Sequence, residues 1–117
     1  MAEVTIFHNP NCSTSRYALE VLDASGADHE VVLYLKTPPD PAALRELLGM
    51  LEDPPADLVR KDAHFKELGL DAADYIEPEA IVSLLVEHPR LLQRPVLVRD
   101  GRAIIGRPKD RVEPFVL

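Results

Sequence analysis

The sequence predicts an α/β fold in which a mixed four-stranded sheet is flanked by helices, with one domain over residues 1–117. Three observations predict it. A strand, a turn and a helix open the chain, helical segments bounded by proline pairs fill its middle, and two strands joined by an Asp-Gly turn lie near its end. Of the 117 residues, 46% are hydrophobic, which is enough for the core of one domain.

The first strand and the first helix are predicted from the opening residues. Val4–Phe7 alternates in the manner of a short strand, and the turn-forming residues Asn9–Asn11 follow it. A helical pattern then covers about residues 14–25 and stops at Gly26, a residue that commonly ends helices. Cys12 is therefore expected where the strand ends and the helix begins.

The middle of the chain is predicted to contain a second strand and three helices. The apolar, β-branched segment at residues 30–35 is typical of a buried strand, which we expect to run parallel to the first. Leucines and other apolar residues recur at helical spacing in residues 41–51, 56–69 and 77–87. We interpret the helices at about residues 40–90 as an insertion into the sheet domain.

The last part of the chain is predicted to be a hairpin followed by a short helix. Val96–Val98 and Ala103–Ile105 are strand-like, and Asp100-Gly101 between them is a typical hairpin turn. A Gly-Arg-Pro sequence at residues 106–108 then leads into a helix at about residues 109–115. The complete order is β-α-β, three helices, and β-β-α, which is the order of a thioredoxin-like (glutaredoxin-like) fold with a helical insertion.

Cys12 is the candidate nucleophile. At the start of a helix, free backbone N–H groups and the helix dipole both favour a thiolate. An ordinary thiol with a pKa of about 8.5 is only roughly 3% ionised at pH 7, so such help changes its reactivity. His8 and Arg16 could add positive charge. Ser15 makes the motif Cys-x-x-Ser, so a second thiol must come from another molecule. The alternative interpretation is a buried, inert cysteine.

Composition and charge exclude several classes of function. The net charge of −7 argues against a nucleic-acid-binding protein, and no apolar run is long enough to span a membrane. The start of the chain has no secretory signal pattern. A single cysteine allows no internal disulfide and fits a reducing cytoplasm, while the scattered histidines do not favour a metal site.

Arginines are the candidate ligands for an anion. A guanidinium group offers a planar fork of donors that matches tetrahedral oxyanions. Arg94 precedes Pro95 directly before a strand, where thioredoxin-like folds carry a cis-proline beside the active-site cysteine. Arg107 leaves the hairpin near the same edge of the sheet, and Arg60 is expected to begin a helix that could reach across. The alternative for each arginine is an exposed ion pair.

Several motifs resemble those of the arsenate reductase family ArsC, of the type coupled to glutaredoxin and glutathione. The resemblance extends over nearly the whole chain. The matching segments are His8–Arg16, Tyr34–Pro39, Leu58–Lys61, His88–Val96 and Gly106–Pro108.

This resemblance implies a function and a set of site residues. Cys12 matches the nucleophile that attacks arsenate and forms a thioarsenate adduct, and His8 and Ser15 match groups that assist it. Arg60, Arg94 and Arg107 match the arginines that bind the oxyanion. Glutathione, or another low-molecular-weight thiol, and glutaredoxin would then resolve the adduct and release arsenite. No bound cofactor, metal, nucleic acid or membrane is expected, and the protein is expected to be a cytoplasmic monomer.

Two alternative functions stay open at this point. One is a regulator of the Spx type, which shares the fold and binds RNA polymerase, although Ser15 removes the Cys-x-x-Cys switch that many such regulators use. The other is a general glutathione-dependent thiol reductase that does not act on arsenate. The three matching arginines favour oxyanion chemistry over the regulator, whereas the thiol reductase is distinguished by replacing Arg94.

Overall fold

The computed structural model describes residues 2–117. The strands are β1 Val4–Phe7, β2 His29–Val32, β3 Val96–Arg99 and β4 Arg102–Ile105. The α-helices are α1 Ser13–Ser25, α2 Pro41–Met50, α3 Ala63–Glu67, α4 Pro78–Glu87 and α5 Val112–Val116. Short 3-10 turns lie at Pro55–Leu58, Ala72–Asp74, Pro89–Leu91 and Lys109–Arg111. No helix among the described residues is long and apolar enough to cross a membrane.

The four strands form one mixed sheet in the order β2-β1-β3-β4. Strand β2 is parallel to β1, whereas β3 is antiparallel to both β1 and β4. Asp100 and Gly101 form the hairpin turn with φ angles of 52° and 73°, the left-handed conformations of a type I′ turn. The predicted mixed sheet and the predicted hairpin are therefore confirmed.

The two faces of the sheet carry separate apolar clusters because side chains alternate along each strand. One face packs against α1 and α5, and its buried strand residues are Val4, Ile6, Leu97 and Ile104. The other face packs against the helices between β2 and β3, and its buried strand residues are Val96, Ala103 and Ile105. The sheet thus fixes the start of α1 and the ends of the hairpin in one rigid frame.

Residues 30–35 differ from the predicted buried strand. Strand β2 ends at Val32 and lies at the edge of the sheet, where Val31 is 39% exposed. The carbonyl oxygen of Leu33 then accepts hydrogen bonds from the N–H groups of Lys36 and Thr37, both at 2.9 Å, which turns the chain away from the sheet. Within this turn Tyr34 is fully buried.

Residues 56–69 also differ from the predicted continuous helix. Only Ala63–Glu67 is α-helical, after a 3-10 turn that ends at Leu58. Val59 instead forms an antiparallel bridge with Leu92. This long-range pairing overrides the local helical pattern, so the segment of Arg60 is extended and lies beside the chain that leads into β3.

The predicted helix through residue 51 ends one residue earlier, at Met50. Leu51 forms a parallel bridge with Ala103, and the N–H of Glu52 donates to the Ala103 carbonyl oxygen at 2.9 Å. These contacts cover the outer edge of β4, which protects that edge from pairing with another chain.

Candidate active site

Cys12 lies between β1 and α1 at the position that caps the helix. Its backbone is extended, with φ −108° and ψ 122°, and its carbonyl oxygen accepts a hydrogen bond from Arg16 N at 2.9 Å. Cys12 N donates to the Asn9 carbonyl oxygen at 3.1 Å, which closes the turn before the helix. The residue is 9% exposed. The predicted position of the thiol at a helix N-terminus is therefore confirmed.

Arg107 brings a guanidinium group to the thiol from the far end of the sequence. Its Nη2 donates to Cys12 Sγ at 3.2 Å, and its Nε donates to the Arg94 carbonyl oxygen at 2.7 Å. The preceding residue allows this approach: a Cβ on Gly106 would lie 2.8 Å from Pro95 Cγ, too close for any other residue to fit unchanged. Arg107 thus links the thiol to the turn before β3.

The pKa of Cys12 is lowered by these surroundings. Burial by itself raises the pKa of the thiol, but the backbone N–H of Ser15, the Arg94 and Arg107 guanidinium groups and the backbone N–H of Thr14 together outweigh burial. The site therefore favours the thiolate, the form that acts as a nucleophile.

Arg94 lies beside Cys12 at the start of β3. The expected cis bond between Arg94 and Pro95 is present, and Arg107-Pro108 is also cis. Arg94 Nε is buried and has no hydrogen-bond partner among residues 2–117. A buried charged donor without an acceptor is costly, so this group is available to an anion that reaches Cys12.

His8 and Ser15 form a buried pair beneath the thiol. His8 Nδ1 lies 2.6 Å from Ser15 Oγ, which also accepts a hydrogen bond from Asn9 N at 3.0 Å. Burial lowers the pKa of His8, and the nearby charge of Arg16 lowers it further, whereas the contact with Ser15 raises it in part. The net lowering of the pKa disfavours the positive charge that His8 was expected to add.

The other expected source of charge, Arg16, also lies apart from the thiol. Its Nη1 donates to the Pro10 carbonyl oxygen at 2.9 Å. His8 holds Ser15, and the Ser15 backbone faces the thiol, so any assistance from His8 reaches Cys12 through Ser15.

Arg60 is placed differently from the sequence prediction. It precedes α3 instead of beginning a helix, and its Nε donates to Asp62 Oδ2 at 3.0 Å. Its Nη1 lies 3.3 Å from Gln93 Oε1, which also accepts from Arg94 N at 3.3 Å. Arg60 therefore reaches the segment of Arg94 through Gln93, and its guanidinium group contacts that side chain and Asp62.

Two further groups support the site and were missed in the sequence. Arg111 Nη1 donates to Asp53 Oδ1 at 2.7 Å, to the Ile105 carbonyl oxygen at 2.9 Å and to the Arg107 carbonyl oxygen at 3.3 Å. This network fixes the backbone that carries Arg107.

The other group is the Tyr34 hydroxyl, which is buried near Cys12. A tyrosine within the apolar run of residues 30–35 was the available signal for it.

A polar pocket of about 230 Å³ opens beside the loop that carries Cys12. Asn9 and Asn11 line it on one side, and Asp62, Arg90 and Arg94 line the other. Arg94 connects this pocket with the site, because its side chain also lies beside the Cys12 thiol. Cys12, Arg94 and Arg107 thus form a thiolate site with donors positioned for an anion.

Residues 7–115 match the ArsC family. The chain belongs to this family. It is 46% identical to an uncharacterized protein, YfgD, of Escherichia coli K12, over 97% of each chain. It is also 43% identical to an arsenate reductase of Neisseria meningitidis serogroup A, again over 97% of each chain.

Solved structures of ArsC proteins have the same fold. An arsenate reductase from Vibrio cholerae superposes with a TM-score of 0.84 at 34% identity, covering 99% of this chain and 98% of that one. The predicted thioredoxin-like fold is therefore confirmed for this member of the ArsC family.

Proposed function

We propose that this protein is an arsenate reductase that reduces arsenate to arsenite through a covalent adduct on Cys12. The observation that carries the proposal is the contact of Arg107 Nη2 with Cys12 Sγ at 3.2 Å, next to the unpartnered Nε of Arg94. A thiolate beside two guanidinium groups can attract a tetrahedral oxyanion and attack its central atom. The arsenate reductases among its relatives support arsenate as the substrate.

The proposed reaction begins with attack by the Cys12 thiolate on arsenic. An As–S bond forms and one arsenate oxygen leaves as water after protonation. Arg94 and Arg107 bind the remaining oxygens and stabilise their negative charge. Arg60 contributes positive charge from the neighbouring segment, where Asp62 and Gln93 hold it.

Completion of the cycle needs thiols from other molecules, because Cys12 is the one cysteine of the chain. We propose that glutathione adds to the arsenic and that glutaredoxin removes it as a mixed disulfide. Two thiols are then oxidised to one disulfide, and As(V) gains two electrons. Water hydrolyses the remaining As–S bond to Cys12, so that arsenite leaves and Cys12 returns to the thiolate. His8 and Ser15 assist by holding the backbone around the thiol.

The proposed setting follows from the same chemistry. The reactive group must stay a free thiol, so we place the protein in the reducing cytoplasm. We also propose that the protein acts as a monomer.

A coupled assay tests the function. Reduced protein is mixed with arsenate, glutathione, glutaredoxin and glutathione reductase, and arsenate-dependent NADPH oxidation is followed together with arsenite formation. We expect turnover that needs both thiol partners and that disappears in Cys12→Ser, because a hydroxyl is a far weaker nucleophile at pH 7.

Three results would contradict the proposal. Turnover retained by Cys12→Ser would exclude the covalent mechanism. Reduction of a small neutral disulfide without any reduction of arsenate would instead assign the site to general thiol reduction. Stable association with RNA polymerase and no turnover would favour a regulator.

A further inference from the structure

The Tyr34 side chain is a large buried group whose hydroxyl has no evident structural role. It is fully buried in the cluster between the sheet and the insertion, yet its hydroxyl has no hydrogen-bond partner among the described residues. An unsatisfied buried hydroxyl costs free energy that a phenylalanine would avoid. Packing alone therefore does not explain why this position holds a tyrosine and not a phenylalanine.

The hydroxyl lies beside the Arg94 guanidinium group, which also lies beside the Cys12 thiol. The groups around it are the Arg94 guanidinium, the Asn9 side chain and Cys12. Burial raises the pKa of Tyr34, and the nearby Arg94 and Asn9 offset only part of that rise. The hydroxyl therefore keeps its proton at neutral pH and is a hydrogen-bond donor.

No described residue accepts a hydrogen bond from this donor. Arg94 has only donors, and its own buried Nε is also unpartnered. Asn9 Oδ1 accepts from Asn11 N at 2.9 Å and Cys12 Sγ accepts from Arg107, but neither bonds the Tyr34 hydroxyl. Two buried donors, Tyr34 Oη and Arg94 Nε, thus converge on the surroundings of the thiol without an oxygen to bind.

We propose that Tyr34 contacts the substrate directly, and that its hydroxyl and Arg94 Nε each donate a hydrogen bond to an oxygen of the oxyanion bound at Cys12. This inference rests on the proposed function and adds a neutral donor to the arginines. An oxyanion with several acceptor oxygens satisfies both groups at once, which a neutral disulfide cannot do. Tyr34 therefore contributes to selection of oxyanions over other thiol-reactive substrates.

The test is Tyr34→Phe, which removes only the hydroxyl. Calorimetric titration of the reduced protein with arsenate, in the absence of glutathione, gives the Kd. We expect the Kd and the KM for arsenate to rise about tenfold, the typical effect of one lost hydrogen bond to a charged group. The melting temperature without arsenate should stay equal or rise, because the substitution removes an unsatisfied polar atom.

The matched control is Tyr75→Phe. Tyr75 packs against the same cluster and makes an edge-to-face contact with Phe65, but it lies within the insertion. We expect the arsenate Kd of this variant to equal that of the unchanged protein. The alkylation rate of Cys12 without arsenate should also be unchanged in Tyr34→Phe, because the hydroxyl makes no bond to Sγ.

Three results would overturn the inference while leaving the proposed function intact. They are an unchanged arsenate Kd in Tyr34→Phe, a clear fall in its melting temperature, and slower alkylation of Cys12 in the absence of arsenate. If the unchanged protein binds arsenate but does not reduce it, and Tyr34→Phe weakens that binding, the inference stands and the proposed function fails. An unchanged protein that binds no arsenate overturns both.

Discussion

The β3–β4 hairpin carries two arginines at each end, and the two pairs have different surroundings. At the turn, Arg102 forms hydrogen bonds through Nε and Nη2 to the Glu52 carboxylate, and Arg99 lies 3.9 Å from a Glu3 carboxylate oxygen. The Arg102 side chain is 61% exposed. At this end, carboxylates lie beside both guanidinium groups, and Arg99 Nη1 also donates to the Phe115 carbonyl oxygen at 3.3 Å.

The open end of the hairpin lacks such partners. Neither Arg94 nor Arg107 forms an ion pair with a carboxylate among residues 2–117. Arg107 contacts the Cys12 sulfur, and Arg94 Nε is buried without an acceptor. A guanidinium group is therefore available to an oxyanion at the end where carboxylates are absent and a thiolate is present. The number of arginines alone does not show which end binds an anion, because each end has two.

The largest difference between the two ends is expected from alanine variants of Arg107 and Arg102. Arg107→Ala removes a donor from both the thiolate and the oxyanion, so we expect kcat/KM for arsenate to fall by about 10²–10³-fold. Arg102→Ala removes an exposed ion pair and should leave kcat/KM within about twofold. Steady-state assays of the two purified variants measure the difference. Similar losses of kcat/KM in both variants would show that the arginines at the open end have no particular role in arsenate reduction.

A smaller difference is expected from Arg94→Gln and Arg99→Gln. Arg94→Gln loses one charge-assisted hydrogen bond to the oxyanion, so kcat/KM for arsenate should fall by roughly 10–100-fold. The kcat/KM of Arg99→Gln should stay nearly equal to that of the unchanged protein. Reduction of a neutral disulfide by Arg94→Gln should persist. Equal loss of both activities in that variant would refute the assignment of Arg94 to oxyanion binding.

The smallest expected effects come from the glycines at the two ends. Gly101→Ala places a side chain at φ 73° and should lower the free energy of unfolding by about 1–2 kcal/mol without changing kcat/KM. Gly106→Ala forces a Cβ against Pro95 and should cost about 1–3 kcal/mol. Because Arg107 follows directly, we also expect a roughly tenfold loss of kcat/KM. Denaturant unfolding and assays together separate the two effects, and full activity in Gly106→Ala would contradict this account.

Much of the site could be predicted from local sequence signals. The strand, turn and helix around Cys12 and the Asp-Gly hairpin depend on neighbouring residues, and the structure reproduces them. Arg94 and Arg107 meet because they flank the predicted β3–β4 hairpin, and the sheet order brings this hairpin next to β1 and Cys12. These parts were predictable since each has a local physical cause.

The parts that could not be predicted depend on long-range contacts. Val59 pairs with Leu92, which breaks the helix expected over residues 56–69, and this pairing places Arg60. Burial, which the sequence neighbours of His8 do not reveal, is the main cause that lowers its pKa. The unpartnered hydroxyl of Tyr34 is visible only when every nearby donor and acceptor is known. Each of these features arises from side chains that are distant in sequence.

The central claim is that the open end of the hairpin and the start of α1 hold a reactive thiolate in an oxyanion site. The most direct test is the alkylation rate of Cys12 as a function of pH, with and without arsenate. Because the pKa of Cys12 is lowered, the midpoint of the rate profile should lie at a lower pH than the midpoint measured for a free cysteine. Arsenate should protect the thiol from alkylation. A midpoint equal to that of free cysteine, with no protection by arsenate, would contradict the claim.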